Sequence, residues 1–417
     1  MNKRLNNQIS RWWLTPKFPD VHIKKVTSYK PKGTKNLIKD RYRTWIYHPL
    51  KRRTAKYYLV LLKKLFGIRV IAITGSAGKT TVKDMVSSIL SLEGNTVSSY
   101  KNIDSVYNIP TTILKCKPGT KYLILEMGVE FPDEMDYYLW LVKPDIGVIT
   151  NIYPTHIKYF RNVDGVAKEK VKLVSSLGSK EYAVLNNENT LLIKKTKDID
   201  AKTCLYGEKS KNTASNIKMK SIMSTTFTLN LGKSKINVQI TLIGKQFVSN
   251  ALASALTVKL LGISDVCIKK GLENFQTDDH RMKIIKSKKG SVVIDDCYNN
   301  NPEAAKRAID SLCLIAKGKR KVVVFGDMLE LGRKEDDYHK ELGAYMADKK
   351  IDVLIGVGKL SKFCVSEFKR KLKNNYSKSF TTTDRVGKEL DKLCRKGDYI
   401  LIKGSRSIGL EEVVKYL

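Results

Sequence analysis

The stretch ITGSAGKTTVKDMVSSIL, residues 73–90, carries the strongest local signal in this chain. It reads as the end of a buried strand, a glycine-rich turn and the start of a helix. Its glycines allow backbone N–H groups to wrap the phosphates of a nucleotide, and the helix N-terminus favours negative charge. Lys79 offers a point charge to the β- and γ-phosphates, and Thr80 offers a hydroxyl to Mg²⁺. The sequence therefore predicts an ATP-binding loop formed by Gly75, Ser76, Ala77, Gly78, Lys79, Thr80 and Thr81.

The sequence contains eight short apolar runs separated by helical stretches, four before residue 276 and four after it. Near-continuous apolar strands of this kind are typical of a parallel sheet that is covered on both faces. The runs are 69–74, 121–128, 146–152, 181–186, 291–297, 321–327, 352–358 and 398–404.

Other patterns predict the remaining elements. Between about 202 and 243, TTFTLNL and INVQITLI alternate apolar and polar residues, which predicts a hairpin. Residues 250–263 have helical apolar spacing, and a helix over 303–316 follows Pro302. The periodicity breaks near 276–281, where we place a domain boundary.

These patterns together predict an α/β protein of three parts. A basic N-terminal segment (1–66) precedes a central P-loop ATPase domain with a mostly parallel sheet (67–276). A Rossmann-like α/β domain (277–417) follows.

The positive charge is concentrated at one end of the chain. The 417 residues include 77 Lys and Arg against 41 Asp and Glu, a net charge of +36. Residues 1–66 hold 18 Lys and Arg but only Asp20 and Asp40 as acids. Such an excess suits nucleic acid or an anionic membrane surface, and it also arises when lysines fill solvated faces. We expect a mildly basic enzyme behind a basic segment, with no nucleic-acid partner.

The basic segment has two interpretations. HPLKRRTAKYYLVLLKKLF, residues 48–66, predicts a basic amphipathic helix, and aromatic residues such as Trp12, Trp13, Tyr29 and Trp45 are interleaved with cations before it. In the first interpretation, the segment contacts an anionic membrane or the phosphates of a substrate. In the second, its apolar side chains pack on the ATPase domain while the lysines face water. We favour packing.

Cysteine usage and the apolar runs predict a cytoplasmic protein. The seven cysteines are dispersed without a C-x-x-C pair, which fits reduced thiols rather than disulfides or a zinc site. No apolar run approaches the roughly 20 residues of a membrane-spanning helix. The N-terminal MNKRLNNQIS lacks the apolar core of a signal peptide.

The phosphate loop and the segments after it resemble the Mur ligases, ATP-dependent enzymes that form amide bonds in peptidoglycan synthesis. The loop has the short T-G-x-x-G-K-T-T form, and the resemblance covers roughly residues 67–417. It implies an ATP-dependent acid–amino-acid ligase that acts through an acyl phosphate. It is closest to the MurF branch, which ligates D-alanyl-D-alanine onto a UDP-N-acetylmuramoyl-tripeptide. The segments that carry it are 125–135, 144–160, 166–174, 295–312, 324–332 and 401–414.

The resemblance implies ligands for two Mg²⁺ ions. Thr80 and Glu126, which ends a buried strand, would hold the first, and His156 would hold the second. Lys170 corresponds to a carbamylated lysine of the family, whose anionic oxygen suits a hard metal. Because Lys168 and Lys172 lie two residues away on either side, the alignment could also place the carbamylated lysine at one of them. The catalytic residues implied in this way are Lys79, His156, Lys170 and Arg281.

The resemblance also implies contacts with the nucleotide and with the incoming amine. Arg281 matches an arginine that reaches the γ-phosphate, although His280 stands before it where a glycine is common. An arginine can hold the terminal carboxylate of the dipeptide with two hydrogen bonds, which suits Arg406, and a surface ion pair is the alternative. The nucleotide contacts implied are Asn250, Arg281, Asp296, Asn299 and Asn301. The amine-site residues implied are Asp327, Glu330, Lys403, Gly404, Ser405 and Arg406.

One part of the chain departs from the resemblance. MurF-like proteins normally begin with a domain that holds the UDP part of the substrate, and residues 1–66 are too short and too basic for it. Two other classes therefore stay open. One is a polyglutamate-type ligase with a non-nucleotide acceptor, against which the MurF-like segments argue. The other is a non-catalytic P-loop protein at a membrane or nucleic acid, against which the joint presence of the catalytic residues argues.

Overall fold

The computed structural model describes Trp13, Pro19, Val21, His22 and residues 34–100, 103–221, 224–277 and 280–417. Trp12 and Tyr29 of the N-terminal segment lie outside the described residues, as do Asp278 and Asp279 at the predicted boundary.

A nine-stranded sheet forms the centre of the molecule. Its strands are β1 (Arg69–Thr74), β2 (Thr96–Ser98), β3 (Tyr122–Glu126), β4 (Ile146–Ile149), β5 (Tyr182–Asn186), β6 (Lys202–Tyr206), β7 (Asn212–Ser221), β8 (Ser224–Leu231) and β9 (Ser234–Ile240). The order is β2-β3-β1-β4-β5-β6-β7-β8-β9. Strands β1 to β6 pair in parallel, whereas β7, β8 and β9 form an antiparallel meander at one edge.

A second sheet of six strands belongs to the C-terminal half. Its strands are β10 (Lys283–Lys286), β11 (Val292–Asp296), β12 (Lys321–Gly326), β13 (Val353–Val357), β14 (Tyr376–Phe380) and β15 (Tyr399–Lys403). The order is β10-β11-β15-β12-β13-β14, and only β10 is antiparallel to its neighbour.

Helices cover both sheets. In chain order they are α1 (Thr34–Tyr42), α2 (His48–Phe66), α3 (Lys79–Leu90), α4 (Ser105–Ile113), α5 (Glu134–Leu141), α6 (Ile157–Phe160), α7 (Val163–Ser175), α8 (Thr190–Lys195), α9 (Lys245–Lys259), α10 (Asp265–Glu273), α11 (Pro302–Ala316), α12 (Glu335–Asp348), α13 (Ser361–Lys371), α14 (Val386–Leu393) and α15 (Glu411–Val414). A π-helical turn, Arg43–Tyr47, joins α1 to α2.

The predicted α/β fold is confirmed, with all eight apolar runs and the hairpin forming strands. The sequence patterns missed β2, β6, β7, β10 and β14. These strands carry exposed or half-buried polar residues, such as the KIIK of β10, and therefore lack the apolar run that identifies a buried strand. The domain boundary near 276–281 stays a prediction.

Helix α2 spans the predicted residues and packs on the ATPase domain along one face. Ala55, Leu59 and Leu62 are buried in the core shared with α4 and α5. The Tyr58 hydroxyl donates a hydrogen bond to Cys116 O at 2.8 Å. Packing is thus confirmed for this face, while other apolar residues of α2 remain exposed. Among the described residues, no helix combines the length and apolar character needed to cross a membrane.

Candidate active site

The phosphate loop connects β1 to α3 at the carboxyl end of the sheet, which is where ligands of open α/β sheets collect. Gly75 and Gly78 have φ of +146° and +83°, which L side chains rarely adopt. A Cβ on Gly75 would lie 1.9 Å from Thr150 Oγ1, and one on Gly78 would lie 2.6 Å from Asn250 Oδ1. The loop therefore needs glycine at both positions.

A neighbouring loop after β4 holds the phosphate loop in place. Asn151 Oδ1 accepts a hydrogen bond from Ala77 N at 2.9 Å, and its Nδ2 donates to Ala77 O at 3.0 Å. Ser76 Oγ donates to Tyr153 O at 3.0 Å and accepts from Tyr153 N at 2.9 Å. Both supporting residues, Asn151 and Tyr153, lie in the segment 144–160 that carries the resemblance, but neither was nominated as a site residue, because their partners are distant in the chain.

A cavity of about 480 Å³ opens over the loop, between the two sheets. It brings together predicted site residues that lie up to 327 positions apart in the chain. The nominated residues that line it are Ser76, Ala77, Gly78, Lys79, Thr80, Thr81, Glu126, His156, Asn250, Arg281, Asp296, Asn299, Asn301 and Lys403.

Thr80, Glu126 and Arg281 meet at one point of the cavity. Thr80 Oγ1 lies 3.1 Å from Glu126 Oε1, and Arg281 Nη2 donates to Thr80 Oγ1 at 3.1 Å. Glu126 Oε2 is buried and has no hydrogen-bond partner among the described residues. A hydroxyl beside a carboxylate with an unused oxygen is a donor set that suits Mg²⁺.

Lys79 lines the cavity, whereas Lys170 does not line it but is near enough for the charge of Lys79 to affect its pKa. Lys79 Nζ donates to Gly75 O at 2.9 Å. Burial and Arg281 lower the pKa of Lys79, while Glu126 acts in the opposite direction. Lys170, on α7, is 1% exposed. Burial, followed by the charge of Lys79, lowers the pKa of Lys170 well below its usual range, against Glu169 and Glu134.

Burial separates the three lysines of α7. Lys168 is exposed and pairs with Asp164, and Lys172 pairs with Asp136 at 2.5 Å and Glu169 at 2.8 Å. Only Lys170 of the three is buried. This favours Lys170 as the residue whose amine is available in neutral form.

His156 lies at the junction of the two domains. Its Nδ1 lies 2.5 Å from Glu330 Oε2, and Glu330 O accepts from Lys158 N at 3.1 Å. The hydrogen bond with His156 lowers the pKa of Glu330. Glu130, His156 and Glu330 offer one ligand atom each within 4.8 Å of one another, which is compatible with a bound cation. The structure thus places Glu330, expected at the amine site, in contact with His156.

Tyr298, which the sequence did not nominate, lies between two arginines. Arg281 stacks 4.1 Å from its ring centroid, and Arg406 lies 5.3 Å from it. Arg406 is exposed. Arg406 thus lies beside the first cavity and does not line the second cavity described below.

His280 anchors the loop that carries Arg281. It adopts φ +62°, in the region that its usual glycine counterpart would adopt freely. Its Nδ1 lies 2.6 Å from Asp295 Oδ2, and Cys297 Sγ donates to Asp295 Oδ1 at 2.9 Å. Burial raises the pKa of the Cys297 thiol, with Asp295 adding to the effect, which favours the protonated thiol. All seven cysteines are free, as expected.

Lys403 lines the first cavity. Its role at the amine site stays a prediction, and its Nζ donates to Asp296 Oδ2 at 2.7 Å and to Asn299 O at 2.9 Å. The register of the sheet sets Lys403 on β15 directly beside Asp296 on β11. Burial raises the pKa of Asp296, and Lys403 opposes that effect.

A second cavity of about 700 Å³ lies in the C-terminal domain beside His156. Asp327 and Glu330 line it, together with the cations Lys158, Arg333 and Lys359. The Asp327 carboxylate already accepts three backbone N–H bonds, from Lys359, Leu360 and Ser361, at 2.7 to 3.1 Å. Ser405 Oγ donates to Asp327 O at 2.8 Å. These contacts shape the cavity and give Asp327 and Ser405 a supporting position.

Two of the asparagines expected to contact the nucleotide have distinct contacts. Asn250, on α9, faces Gly78 across the loop. Asn301 Oδ1 accepts from Ala304 N at 2.9 Å and so caps α11. Both line the first cavity.

The fold and the site define a nucleotide-binding enzyme in which a second α/β domain contacts a phosphate loop. The chain belongs to the Mur ligase family. The model of the Mur ligase middle domain matches residues 73–258, and that of the Mur ligase glutamate ligase domain matches residues 280–406. It is therefore an ATP-dependent ligase that forms amide bonds.

Individual relatives support this assignment. The chain is 35% identical over 353 residues to the UDP-N-acetylmuramoyl-tripeptide--D-alanyl-D-alanine ligase of Buchnera aphidicola subsp. Baizongia pistaciae, covering 84% of this chain and 75% of the relative. It is 31% identical to the enzyme of the same name from Bacillus subtilis, covering 88% of this chain and 78% of that one.

A solved structure has the same architecture. MurF from Acinetobacter baumannii superposes with a TM-score of 0.80 at 26% identity, covering 88% of this chain and 79% of that chain.

Proposed function

We propose that this chain joins D-alanyl-D-alanine to a UDP-N-acetylmuramoyl-tripeptide, with ATP converting the acceptor carboxylate to an acyl phosphate. The relatives named above have this activity in their names. The single observation that carries the proposal is the bond from Arg281 to Thr80, because it brings a cation of the C-terminal domain to the phosphate loop.

The geometry fits the electrostatic demand of the reaction. Two anions must approach, the γ-phosphate and the acceptor carboxylate, so cations positioned in advance lower the barrier. Lys79 of the phosphate loop and Arg281 after it in the chain both line the cavity and supply such charges. When bound, Mg²⁺ would supply further charge neutralisation, and Thr80 and Glu126 are the residues that would hold it.

Lys170 is suited to carbamylation. Its burial favours the neutral amine, which adds CO₂ to form an N-carboxylate with release of one proton. The product is an anionic oxygen donor that would help to hold a second Mg²⁺, with His156 as the other ligand.

The second cavity provides the chemistry that a dipeptide needs. Lys158, Arg333 and Lys359 suit its terminal carboxylate, and Glu330 suits its ammonium group. The cavity lies beside His156, and Glu330 links it to the first cavity. Arg406 remains an alternative partner for the carboxylate, from its position on Tyr298.

ADP release with a matrix of substrates tests the proposal. We expect turnover with UDP-N-acetylmuramoyl-tripeptide plus D-alanyl-D-alanine, and none when either is omitted. Two control reactions are run: in one, glutamate replaces the dipeptide, and in the other, a folate-type acid replaces the UDP-N-acetylmuramoyl-tripeptide. Turnover only with a non-nucleotide acceptor and glutamate would establish the polyglutamate-type alternative and overturn the proposal.

A further inference from the structure

The helical run of residues 34–66 carries a concentration of exposed apolar side chains. Ten of the nineteen large apolar side chains exposed among the described residues lie in this run, with exposed fractions between 44% and 66%. Helix α1, the π-helical turn and α2 follow one another without a break. The side chains are Ile38, Tyr42, Ile46, Tyr47, Leu50, Tyr57, Val60, Leu61, Leu65 and Phe66.

Seven of these side chains recur every four or seven residues, which places them along one side of the run. We call them the outer stripe. At 1.5 Å per residue the stripe is about 40 Å long. Its members are Ile38, Tyr42, Ile46, Leu50, Tyr57, Leu61 and Leu65.

The outer stripe of α2 lies opposite the face that is packed on the protein. Ala55, Leu59 and Leu62 are at most 2% exposed, and Lys63 Nζ anchors the end of the helix to Asp145 at 3.0 Å. Helix α2 is thus fixed to the ATPase domain by one face while the other is presented outward. Contiguous exposed apolar surface of this kind marks an interaction site.

The charge of the run identifies the partner. Residues 34–66 contain ten Lys and Arg and one acid, Asp40, for a net charge of +9. An apolar stripe flanked by cations matches the headgroup region of an anionic bilayer, where apolar side chains enter the acyl boundary and cations pair with phosphates. A second copy of the same face would bring two charges of +9 together.

We propose that the outer stripe docks this protein onto the surface of an anionic phospholipid bilayer. Docking leaves the first cavity accessible, because none of the stripe residues lines it. It is a peripheral contact that depends on both apolar burial and charge.

Co-sedimentation of the full-length protein with vesicles tests the proposal. We expect binding to vesicles of phosphatidylglycerol and phosphatidylcholine but not to phosphatidylcholine alone, and weaker binding as salt rises from about 0.1 M to about 1 M. The double variant Tyr57→Glu, Leu61→Glu should bind at least about tenfold more weakly.

A matched control separates the stripe from a general effect of added acid. Val266→Glu, Leu314→Glu makes the same change of charge at exposed apolar sites outside the run and should bind like the wild type. Thermal unfolding should show that both variants are folded, and ADP release with soluble substrates should be unchanged in both.

Three results would overturn the proposal. In the first, the wild type stays in the supernatant with anionic vesicles. In the second, the stripe variant sediments like the wild type. In the third, the wild type is a dimer and the stripe variant is a monomer. The last would identify a second copy as the occupant.

Discussion

At Gly75 the chain has no room for even one methyl group. The clash with Thr150 Oγ1 at 1.9 Å involves a side chain that is itself bonded to Ala77 O at 2.6 Å, so relief would cost a loop contact. The positive φ adds strain for any L side chain. The placement of the phosphate-binding N–H groups therefore depends on this residue.

Gly75→Ala should lower turnover by about 100-fold, because a displacement near 1 Å at a phosphate-positioning loop has effects of that size. Steady-state ADP release measures it. Gly67→Ala is the control, since Gly67 also has positive φ, at +62°, but a Cβ there meets nothing within 4 Å. Equal activity of the two variants would contradict this role of the loop.

Lys170→Ala should lower turnover by about 100- to 1,000-fold if its carbamate stabilises the reacting anions. Short-chain carboxylates should restore part of the activity, and ¹³C-labelled CO₂ should give a carbamate signal in the wild type alone. Lys168→Ala removes an exposed lysine from the same helix and should be neutral. Full activity of the Lys170 variant would contradict the assignment.

At the level of elements, α12 supports the loop that carries Asp327 and Glu330. His339 on α12 is fully buried, and its Nε2 accepts from Met328 N at 3.0 Å. Burial lowers the pKa of His339 from 6.5, with the bond to the Glu335 carbonyl opposing it. The unfolded chain therefore takes up a proton more readily than the folded one.

The stability contributed by neutral His339 should be complete above about pH 6.5 and should be lost as the pH falls below it. The midpoint of thermal unfolding should therefore drop between about pH 7.5 and about pH 5.5. His339→Leu leaves Met328 N–H without its partner, which should cost about 1–3 kcal/mol, and its midpoint should vary less with pH. Glu341→Ala on the same helix is the control and should keep the wild-type pH dependence. If the unfolding midpoint of the His339 variant fell with pH as steeply as that of the wild type, this role of His339 would be contradicted.

Elements with strong periodicity could be predicted from the sequence, and so could the residues at their ends. Lys79, Thr80 and Glu126 end or follow buried strands, and parallel strands bring such residues to one edge. Tyr298 could not be found in this way, since a loop residue becomes functional only through partners far along the chain. The place of Lys403 required the sheet order, which no local pattern specifies.

At the scale of the whole molecule, contacts between the domains close the site. Arg307 on α11 donates a hydrogen bond to the Tyr153 hydroxyl and lies over its ring. Tyr153 in turn bonds Ser76 of the phosphate loop through its backbone. The contact between the domains and the geometry of the loop are thus linked through Tyr153.

Arg307→Ala should raise the KM for ATP by about tenfold, because a charged hydrogen bond of about 1.5–3 kcal/mol no longer favours the closed arrangement. ATP-dependent kinetics and small-angle scattering check the two parts of this expectation. Arg370→Ala, which removes an exposed arginine of the same domain, should leave both unchanged. An unaltered KM in the Arg307 variant would contradict the link.

The most direct measurement is isotope transfer during a single ligation. The acceptor peptide carries ¹⁸O in its carboxylate, and the products formed with D-alanyl-D-alanine and ATP are analysed by mass spectrometry. Since the carboxylate attacks the γ-phosphate in our account, we predict ADP, the amide product and phosphate containing one ¹⁸O in equal amounts. Formation of AMP, or of ADP with unlabelled phosphate, would contradict it.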